Sequence, residues 1–354
     1  MRFKTETENE NAAHPNRATV AVVGLGETGR TLALALRRLG GRFYLIGHDR
    51  EPELAKDALR AGALDKATWN LIDAVEKADM VVLAEPLDQL VETLGLIAPH
   101  LKAGALVTDT TGVKVPVLRA AAAALPPGIS FVGGHPILRA GAPMVALDEP
   151  VPAGGGEAKS GEPDTPLAAL DGATYCLVPL ASAGEDAIRA LANVVSAIGA
   201  RPLFINAEEH DALVAGAGQL PYVLMLALAR LVDRSPSQRD LLALVDPRFA
   251  GMVETLGAPG GGLADDLGAN AGALVGWLDQ AVAELGALRA TLAGDDPAAV
   301  RSLIGEAAGL WARWQAGPMA PGSAAPGFDA VDERPGLRAL FLGQRGAGAS
   351  RLGK

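Results

Sequence analysis

Three glycines at GxGxxG spacing follow the apolar run ATVAVV and form the pattern of a phosphate-binding turn. Gly24 permits a tight turn out of a strand, Gly26 lets the backbone approach a pyrophosphate, and Gly29 lets a helix pack close to the sheet. The start of that helix presents free amides and the positive end of its dipole to an anion. The structural alternative is a glycine turn without a ligand. The motif predicts dinucleotide binding through Gly24, Leu25, Gly26, Glu27, Thr28 and Gly29.

An acidic residue that suits such a turn stands after the next apolar run. Asp49 lies in YLIGHDRE, at the end of the second predicted strand. Its carboxylate can accept hydrogen bonds from both hydroxyls of a ribose and would repel a 2′-phosphate, so NAD is favoured over NADP as the cofactor. Arg50 leaves NADP as the alternative cofactor, because a guanidinium at that position can pair with the 2′-phosphate.

These residues stand at the junctions of a regular alternation of strands and helices. Runs of β-branched residues bounded by glycine predict strands, and apolar residues at helical spacing predict helices. The alternation indicates an α/β fold, with a Rossmann-type parallel sheet covered on both faces and an all-helical C-terminal domain after it. The predicted strands cover 18–23, 42–47, 79–84, 104–110, 129–134, 173–179 and 201–206, and the predicted helices 28–40, 51–61, 88–99, 113–124, 184–198, 207–233, 237–256, 263–294 and 297–316.

Composition and pattern together divide the 354 residues into parts. The predicted parts are a disordered lead-in over 1–17, a dinucleotide-binding domain over 18–182, a helical domain over 183–316 and a disordered tail over 317–354. The interval 139–169 is crowded with Gly, Pro, Ala and acidic residues, and it is longer than an ordinary loop. It is predicted to be either a mobile lid or a tolerated surface insertion.

Charge and composition exclude several classes of protein. The formal net charge of −10 argues against a nucleic-acid partner, which normally requires a basic face. The single cysteine, Cys176, rules out an intramolecular disulfide framework and a zinc site built from several cysteines, and it favours a reducing compartment. No uninterrupted apolar run reaches the roughly 18 residues of a membrane helix, and the polar N-terminus does not read as a secretory signal. A soluble cytoplasmic protein without a membrane partner, acting on a small molecule, is therefore predicted.

In order and spacing, several segments of the chain resemble the prephenate and arogenate dehydrogenases of tyrosine biosynthesis. The resemblance runs from about residue 18 to about residue 295. FVGGHP directly after VTDTTGVK is the most specific pair, because it separates this family from other hydroxyacid-type dehydrogenases. The other matching segments are VAVVGLGETG, GHDRE, ADMVVLAEPLDQL, DGATYCLVP, EEHDALVA, QLPYVLMLALA and LGANAGALVGWLDQAVAEL.

The resemblance implies a Rossmann domain followed by a helical dimerisation domain, with the active site where the two meet, and hence a homodimer. It also implies an NAD-dependent oxidative decarboxylation. In that reaction hydride leaves the ring carbon that bears the 4-hydroxyl, and the ring carboxylate departs as carbon dioxide. Aromatisation makes the reaction strongly downhill, so the protein mainly positions the ring and handles the hydroxyl proton.

The central segments of the resemblance contain the predicted catalytic residues. His135 matches the catalytic histidine, since a neutral imidazole can accept the hydroxyl proton; the alternative is a histidine that caps a turn before a proline. Thr111 stands where the family usually has a serine that contacts the substrate hydroxyl. Asp109 is expected to organise the same loop. Lys114 ends the motif, and its structural alternative is a solvated helix residue.

The predicted substrate-binding residues depart from the family pattern. Gln219 and Tyr222 stand where the HLPH segment has two histidines, and both keep hydrogen-bonding capacity. The pattern FRDxTR, which supplies an arginine to a substrate carboxylate, has no clean counterpart, and the alignment puts Glu254 at the arginine position. A carboxylate facing a carboxylate is unfavourable when buried. Arg248, or Arg139 from the insertion, is the candidate replacement.

Glu85 is a further departure, in the predicted cofactor site. It ends DMVVLAEP, where a small apolar or hydroxyl residue would normally border the nicotinamide. It is either a carboxylate that points to solvent or part of a site adapted to an amine-bearing substrate. In the second case arogenate, which has an amino group, would suit the site better than prephenate.

The residues described above are compatible with three functions. The first is an NAD-dependent prephenate or arogenate dehydrogenase. The second is a related nicotinamide-dependent dehydrogenase acting on a different small substrate, and the third is a non-catalytic dinucleotide-binding descendant. Gln219 and Glu254 favour the last two. Formation of NADH from prephenate or arogenate would select the first.

Overall fold

A computed structural model of the chain describes residues 17–138, 169–257 and 262–316. These residues divide into two compact units. One holds the described residues up to His210 together with 262–266, and the other holds 211–257 and 267–316. The predicted tail lies outside the described residues, as do most of the predicted lead-in and of the 139–169 interval.

The predicted lead-in and the predicted 139–169 insertion each include one residue that the structure describes as folded. Arg17, assigned to the lead-in, pairs with Asp65 at 3.0 Å. Ala169, assigned to the insertion, begins a short turn and is buried. Each of these two residues therefore belongs to the folded first unit.

The first unit is an eight-stranded sheet with helices on both faces. Its strands are β1 Ala18–Val23, β2 Phe43–His48, β3 Lys66–Ala67, β4 Met80–Leu83, β5 Leu106–Asp109, β6 Ser130–Ile137, β7 Thr174–Pro179 and β8 Arg201–Phe204. Its helices are α1 Glu27–Arg37, α2 Pro52–Arg60, α3 Leu71–Val75, α4 Leu87–Ile97, α5 Val115–Ala124 and α6 Glu185–Ala197, followed by α7 Ala207–Val214, which crosses into the second unit.

The strand order is β3-β2-β1-β4-β5-β6-β7-β8, and the first six strands run parallel. The order reverses between β1 and β4, so a crevice opens at the carboxyl ends of these two strands, where dinucleotides bind in this class of fold. β7 pairs antiparallel with β6, and β8 runs parallel to β7. The predicted Rossmann-type parallel sheet is confirmed for the first six strands, and β7 and β8 run in the opposite direction to them.

Alternating side chains of the central strands enter two separate cores, as the pleat of a strand requires. Val20 and Val22 of β1 pack with α1, α2 and α6 on one face. Ala21 and Val23 pack with α3, α4 and α5 on the other face. Because both faces are covered, the strands are apolar throughout, which is what made them recognisable in the sequence.

The predicted boundary at residue 182 is too early. α6 packs on the sheet, and β8 extends it by pairing Thr174 with Arg201 and Leu177 with Phe204. The short apolar run 201–206 was predicted as a strand but assigned to the helical domain. Its backbone hydrogen bonds are made within the sheet, so the first unit continues to His210.

The second unit is helical. Its elements are α8 Leu220–Asp233, α9 Gln238–Ala243, α10 Pro247–Gly257, α12 Ala271–Ala293 and α13 Pro297–Ala316, with α11 Leu263–Ala269 at the division between the units. Two predicted long helices are each divided, the first after α9 and the second after α11. Gly216 lies against the indole of Trp277 so closely that a Cβ would be 2.5 Å from its ring, so only glycine fits there.

The helix predicted over 207–233 is continuous and has the predicted bounds. α7, a π-helical turn at Ala215–Gln219 and α8 form one continuous helix, Ala207–Asp233, with a mean hydropathy of 1.7 over its most apolar window. By length and composition alone it would be long enough to cross a membrane, contrary to the expectation from uninterrupted apolar runs. A single such helix is weak evidence, because apolar helices that pack against protein pass the same test.

Candidate functional site

The glycine turn follows β1 and requires glycine for two separate reasons. Gly24 has a φ of 88°, and a Cβ on it would lie 2.4 Å from the carbonyl oxygen of Ala84. A Cβ on Gly29 would lie 2.0 Å from the carbonyl oxygen of Gly24. These two contacts bring the turn and the start of α1 against the end of β4.

Gly26 differs from its two neighbours in the motif. A Cβ there would meet no atom within 4 Å, and the residue caps α1 without a side-chain hydrogen bond. Gly26 therefore leaves open space beside the first amides of the helix, which have no acceptors inside it. A pyrophosphate fits this cradle. Glu27 and Thr28 are the first residues of the helix, so their amides lie at its start, whereas the Leu25 amide is bonded to Asp49 and the Leu25 side chain is buried.

Asp49 stands directly after β2, where it can reach a ribose. One carboxylate oxygen accepts from the Leu25 amide at 2.6 Å, and the other accepts from the Glu51 amide at 2.8 Å. Each oxygen keeps further acceptor capacity. The two backbone contacts fix the carboxylate at the rim of the glycine turn.

Arg50 is held between two carboxylates. Its guanidinium lies 2.7 Å from Glu92 and 3.6 Å from Glu85. These contacts raise the pKa of Arg50, with the Glu92 hydrogen bond as the largest favourable cause. An incoming 2′-phosphate would have to displace both carboxylates to pair with this arginine.

Glu85 does not point to solvent, so that alternative is wrong. Its side chain is only 5% exposed. The oxygen that does not face Arg50 is buried without a hydrogen-bond partner. A Cβ on Gly24 would lie 3.1 Å from its side chain, so Glu85 lies against the glycine turn. A buried oxygen of this kind favours a ligand with a hydrogen-bond donor.

The DTTGVK loop after β5 is organised around a buried ion pair. Lys114 is fully buried and donates to the Asp109 carboxylate, to the Gly134 carbonyl at 2.7 Å and to the Thr111 hydroxyl at 3.1 Å. Asp109 accepts from the Thr111 amide at 2.9 Å, from its hydroxyl at 2.6 Å and from the Gly134 amide at 3.0 Å. Asp109 therefore organises the loop, as predicted. The alternative of a solvated Lys114 is excluded, because its side chain is fully buried.

His135 lies inside β6, opposite Cys176 of β7, and not in a turn. The Gly134 carbonyl before it accepts from Lys114, which joins the histidine to the buried ion pair. Burial lowers the pKa of His135 to about 3, with smaller contributions from Lys114 and His210. The imidazole is therefore neutral near pH 7.

Two residues of this cluster were missed by sequence reasoning. His210 of α7 faces His135, with its Nε2 3.0 Å from Nδ1 of His135. Asp266 of α11 lies against Gly112, whose amide donates to it, and burial raises the pKa of Asp266 to about 6. EEHDALVA was noted as a matching segment, which is the one signal that could have pointed to His210.

The three predicted substrate-binding residues lie in the second unit. Gln219 is buried and accepts at 2.9 Å from Asn270, which also donates to the Asp211 carbonyl at 2.8 Å. Tyr222 is half-buried on α8. The guanidinium of Arg248 is exposed and lies 2.5 Å from Asp246.

Glu254 and Arg139 are the two remaining residues considered for the position that faces a substrate carboxylate. Glu254 is exposed on α10, so its carboxylate is not buried in the described part of the chain. Arg139 lies outside the described residues. No described contact commits either of them to a ligand.

Comparisons with known proteins find similarity to dehydrogenases of one kind. A family profile described as "Prephenate dehydrogenase, nucleotide-binding domain" matches residues 32–149. The prephenate dehydrogenase of Bacillus subtilis is 28% identical over 233 residues, which cover 66% of this chain and 57% of that protein. The cyclohexadienyl dehydrogenase of Zymomonas mobilis is 28% identical over 281 residues, covering 78% and 89%. The chain therefore spans little more than half of the first of these relatives.

Among solved structures, prephenate dehydrogenase from Aquifex aeolicus in complex with hydroxyphenyl propionate and NAD+ has a similar fold. The TM-score is 0.68 at 21% identity, over 84% of this chain and 96% of that chain. This likeness establishes the fold, with a Rossmann-type unit followed by helices.

Proposed function

We propose that this chain is a member of the prephenate and arogenate dehydrogenase family, and that it oxidises and decarboxylates prephenate or arogenate with NAD. The observation that supports the proposal most is a neutral His135 beside the Asp109–Thr111–Lys114 cluster, on the sheet edge that carries the glycine turn. NAD, when bound, supplies the acceptor for the hydride. The cradle at Gly26 and the carboxylate of Asp49 fit its pyrophosphate and ribose.

The protein's own contribution to the reaction is to position the ring and move one proton. His135 accepts the proton of the 4-hydroxyl as hydride leaves the carbon that bears it. The bond to the ring carboxylate then breaks, carbon dioxide departs, and the electron pair completes the aromatic ring. His135 returns its proton to the phenolic oxygen, so the step requires no net proton. The Thr111 hydroxyl, held by Asp109 and Lys114, is the second group proposed to contact the substrate oxygen.

NAD is favoured over NADP by the charges around Arg50. A 2′-phosphate at the Asp49 position would face the carboxylates of Asp49, Glu85 and Glu92. Arg50 already neutralises two of them, so little positive charge is left for a phosphate. Like charges at this spacing raise the free energy of the NADP complex.

An amine-bearing substrate is favoured by two carboxylates of the same unit. The buried oxygen of Glu85 has no hydrogen-bond partner, and Asp266 lies against the loop that carries Thr111. Either carboxylate would attract an amino group, so we propose arogenate as a better substrate than prephenate. Gln219, Tyr222 and Arg248 remain the proposed contacts to the substrate side chain, with Arg248 available only if it releases Asp246.

A homodimer through the helical unit is the proposed assembly. Large apolar side chains are exposed on its long helices, among them Leu231 at 71% and Val282 at 67%. Exposed apolar surface on this scale favours association with another protein surface. We further propose a cytoplasmic location, in keeping with a buried, unpaired Cys176 and a reaction that draws on the dinucleotide pool.

The test is turnover by the purified full-length chain. NAD is mixed with prephenate and, separately, with arogenate, and the absorbance of the reduced nicotinamide is followed. Formation of NADH with either substrate supports the proposal, and a higher kcat/KM with arogenate supports the preference. Binding of NAD without turnover of either substrate contradicts it and favours a different substrate or a non-catalytic descendant.

A further inference from the structure

A second imidazole faces His135 at its Nδ1. His210 is 1% exposed, and its Nε2 lies 3.0 Å from Nδ1 of His135. The two rings meet edge to face, with centroids 5.1 Å apart and planes at 71°. This is the geometry of a hydrogen bond between two ring nitrogens.

The backbone of His210 is anchored to the sheet through the end of β8. β8 ends beside Leu177, and the amide of Ile205 donates to the Leu177 carbonyl at 3.2 Å. The Asn206 side chain then accepts from the Glu209 amide at 2.8 Å, and the His210 amide donates to the Asn206 carbonyl at 2.9 Å. The first turn of α7 is therefore anchored to the sheet next to β6.

A hydrogen bond between two neutral imidazoles has only two arrangements, because each ring carries one proton. If His210 donates, His135 has its proton on Nε2 and cannot act as a base there. If His135 donates from Nδ1, its Nε2 keeps a lone pair for the substrate hydroxyl. The contact therefore decides which nitrogen of His135 is available for chemistry.

We infer that His210 is a positioning residue that accepts a hydrogen bond from Nδ1 of His135 and so holds His135 with its Nε2 unprotonated. The choice of this arrangement over the other rests on the proposed function, in which His135 accepts the substrate proton. An analogous orientation of a histidine by a buried acceptor is worth up to about 10⁴ in turnover in serine proteases.

The groups around His135 disfavour its protonated form. Burial and the Lys114 ammonium both oppose a second proton on this ring. Lys114 is itself paired with the Asp109 carboxylate. Cys176, opposite His135 on β7, has a pKa raised by burial. Asp266 lies against Gly112, in the loop that carries Thr111 and Lys114.

The tautomer is read directly by long-range ¹H–¹⁵N NMR on the full-length protein labelled at histidine. Spectra are recorded without ligands at about pH 8, where an ordinary imidazole is neutral. The protein has five histidines, and the His135 signals are assigned with His135→Asn. His210→Gln keeps an acceptor at the position of Nε2, His210→Leu removes it, and His100→Leu changes an exposed histidine as the matched control.

The expected result is a proton on Nδ1 of His135 in the native protein, in His210→Gln and in His100→Leu. In His210→Leu the Nε2-protonated form should appear, and kcat should fall at least about tenfold with KM little changed. A native His135 protonated on Nε2 would overturn the inference, as would an unchanged tautomer in His210→Leu. If no variant, the native protein included, turns over prephenate or arogenate, the proposed function fails while the tautomer result still decides this inference.

Discussion

The ammonium of Lys114 pairs with the carboxylate of Asp109 at a point where neither side chain is exposed to solvent. Removing one partner of a buried pair leaves an uncompensated charge, which costs about 3–5 kcal/mol. We therefore expect Lys114→Met to lower the free energy of unfolding by roughly that amount, measured by chemical denaturation. The double variant Lys114→Met/Asp109→Asn should lose less, because no charge stays buried. Equal losses in the two variants would contradict this account of the loop.

The glycine turn offers a matched pair of substitutions. Gly26→Ala places a methyl group in open space at a φ of −61°, so we expect unchanged thermal stability but a loss of at least about tenfold in NAD affinity. Gly24→Ala forces a positive φ and a contact with the Ala84 carbonyl, so it should lower stability as well. Thermal unfolding and calorimetric titration with NAD distinguish the two. Normal NAD affinity in a stable Gly26→Ala protein would refute the cradle.

Cofactor choice should depend on Asp49 and on the release of Arg50. Asp49→Ser removes the proposed ribose acceptor, so NAD affinity should fall roughly tenfold or more while NADP is affected less. Glu92→Gln removes the strongest partner of Arg50 and should improve NADP binding without weakening NAD. Both affinities are measured by titration. If neither variant changes the ratio of NADP to NAD affinity, the assignment of this rim to the ribose is wrong.

Asp266 should make stability depend on pH in the direction opposite to most carboxylates. Its pKa is raised to about 6 in the folded protein, so the folded state holds this proton more tightly than the unfolded chain does. The stability gained from holding this proton is therefore fully present at low pH and is lost as the pH rises through about 6. Relative to the native protein, Asp266→Asn should gain on the order of 1–3 kcal/mol between about pH 4 and pH 6.5. A constant difference across that range, in denaturation at several pH values, would contradict this.

Long elements with a strong hydrophobic pattern could be predicted from the sequence, and short ones could not. β1 and α13 match their predicted bounds, because an apolar run or a helical repeat marks each of them. β3 has two residues and α3 has five, which is too short to show a period. The reversed direction of β7 is also not readable, since pairing partners depend on contacts far apart in the chain.

The residues of the candidate site also divide into those that a local sequence pattern predicts and those that depend on distant parts of the chain. The glycine turn and Asp49 are local motifs and could be identified from spacing, and His135 from its position after FVGG. His210, Asp266 and the burial of Lys114 depend on the return of distant segments to the end of β5 and β6. A lysine in a polar loop has no sequence feature that distinguishes a buried pair from a solvated side chain.

His135 is proposed to take the proton of a substrate held beside bound NAD. The direct test is steady-state turnover of the better substrate by His135→Asn, with NAD affinity measured on the same preparation. Loss of a general base lowers kcat by roughly a hundredfold or more, while the glycine turn and Asp49 keep NAD affinity close to native. An unaltered rate in a variant that binds NAD normally would contradict the account.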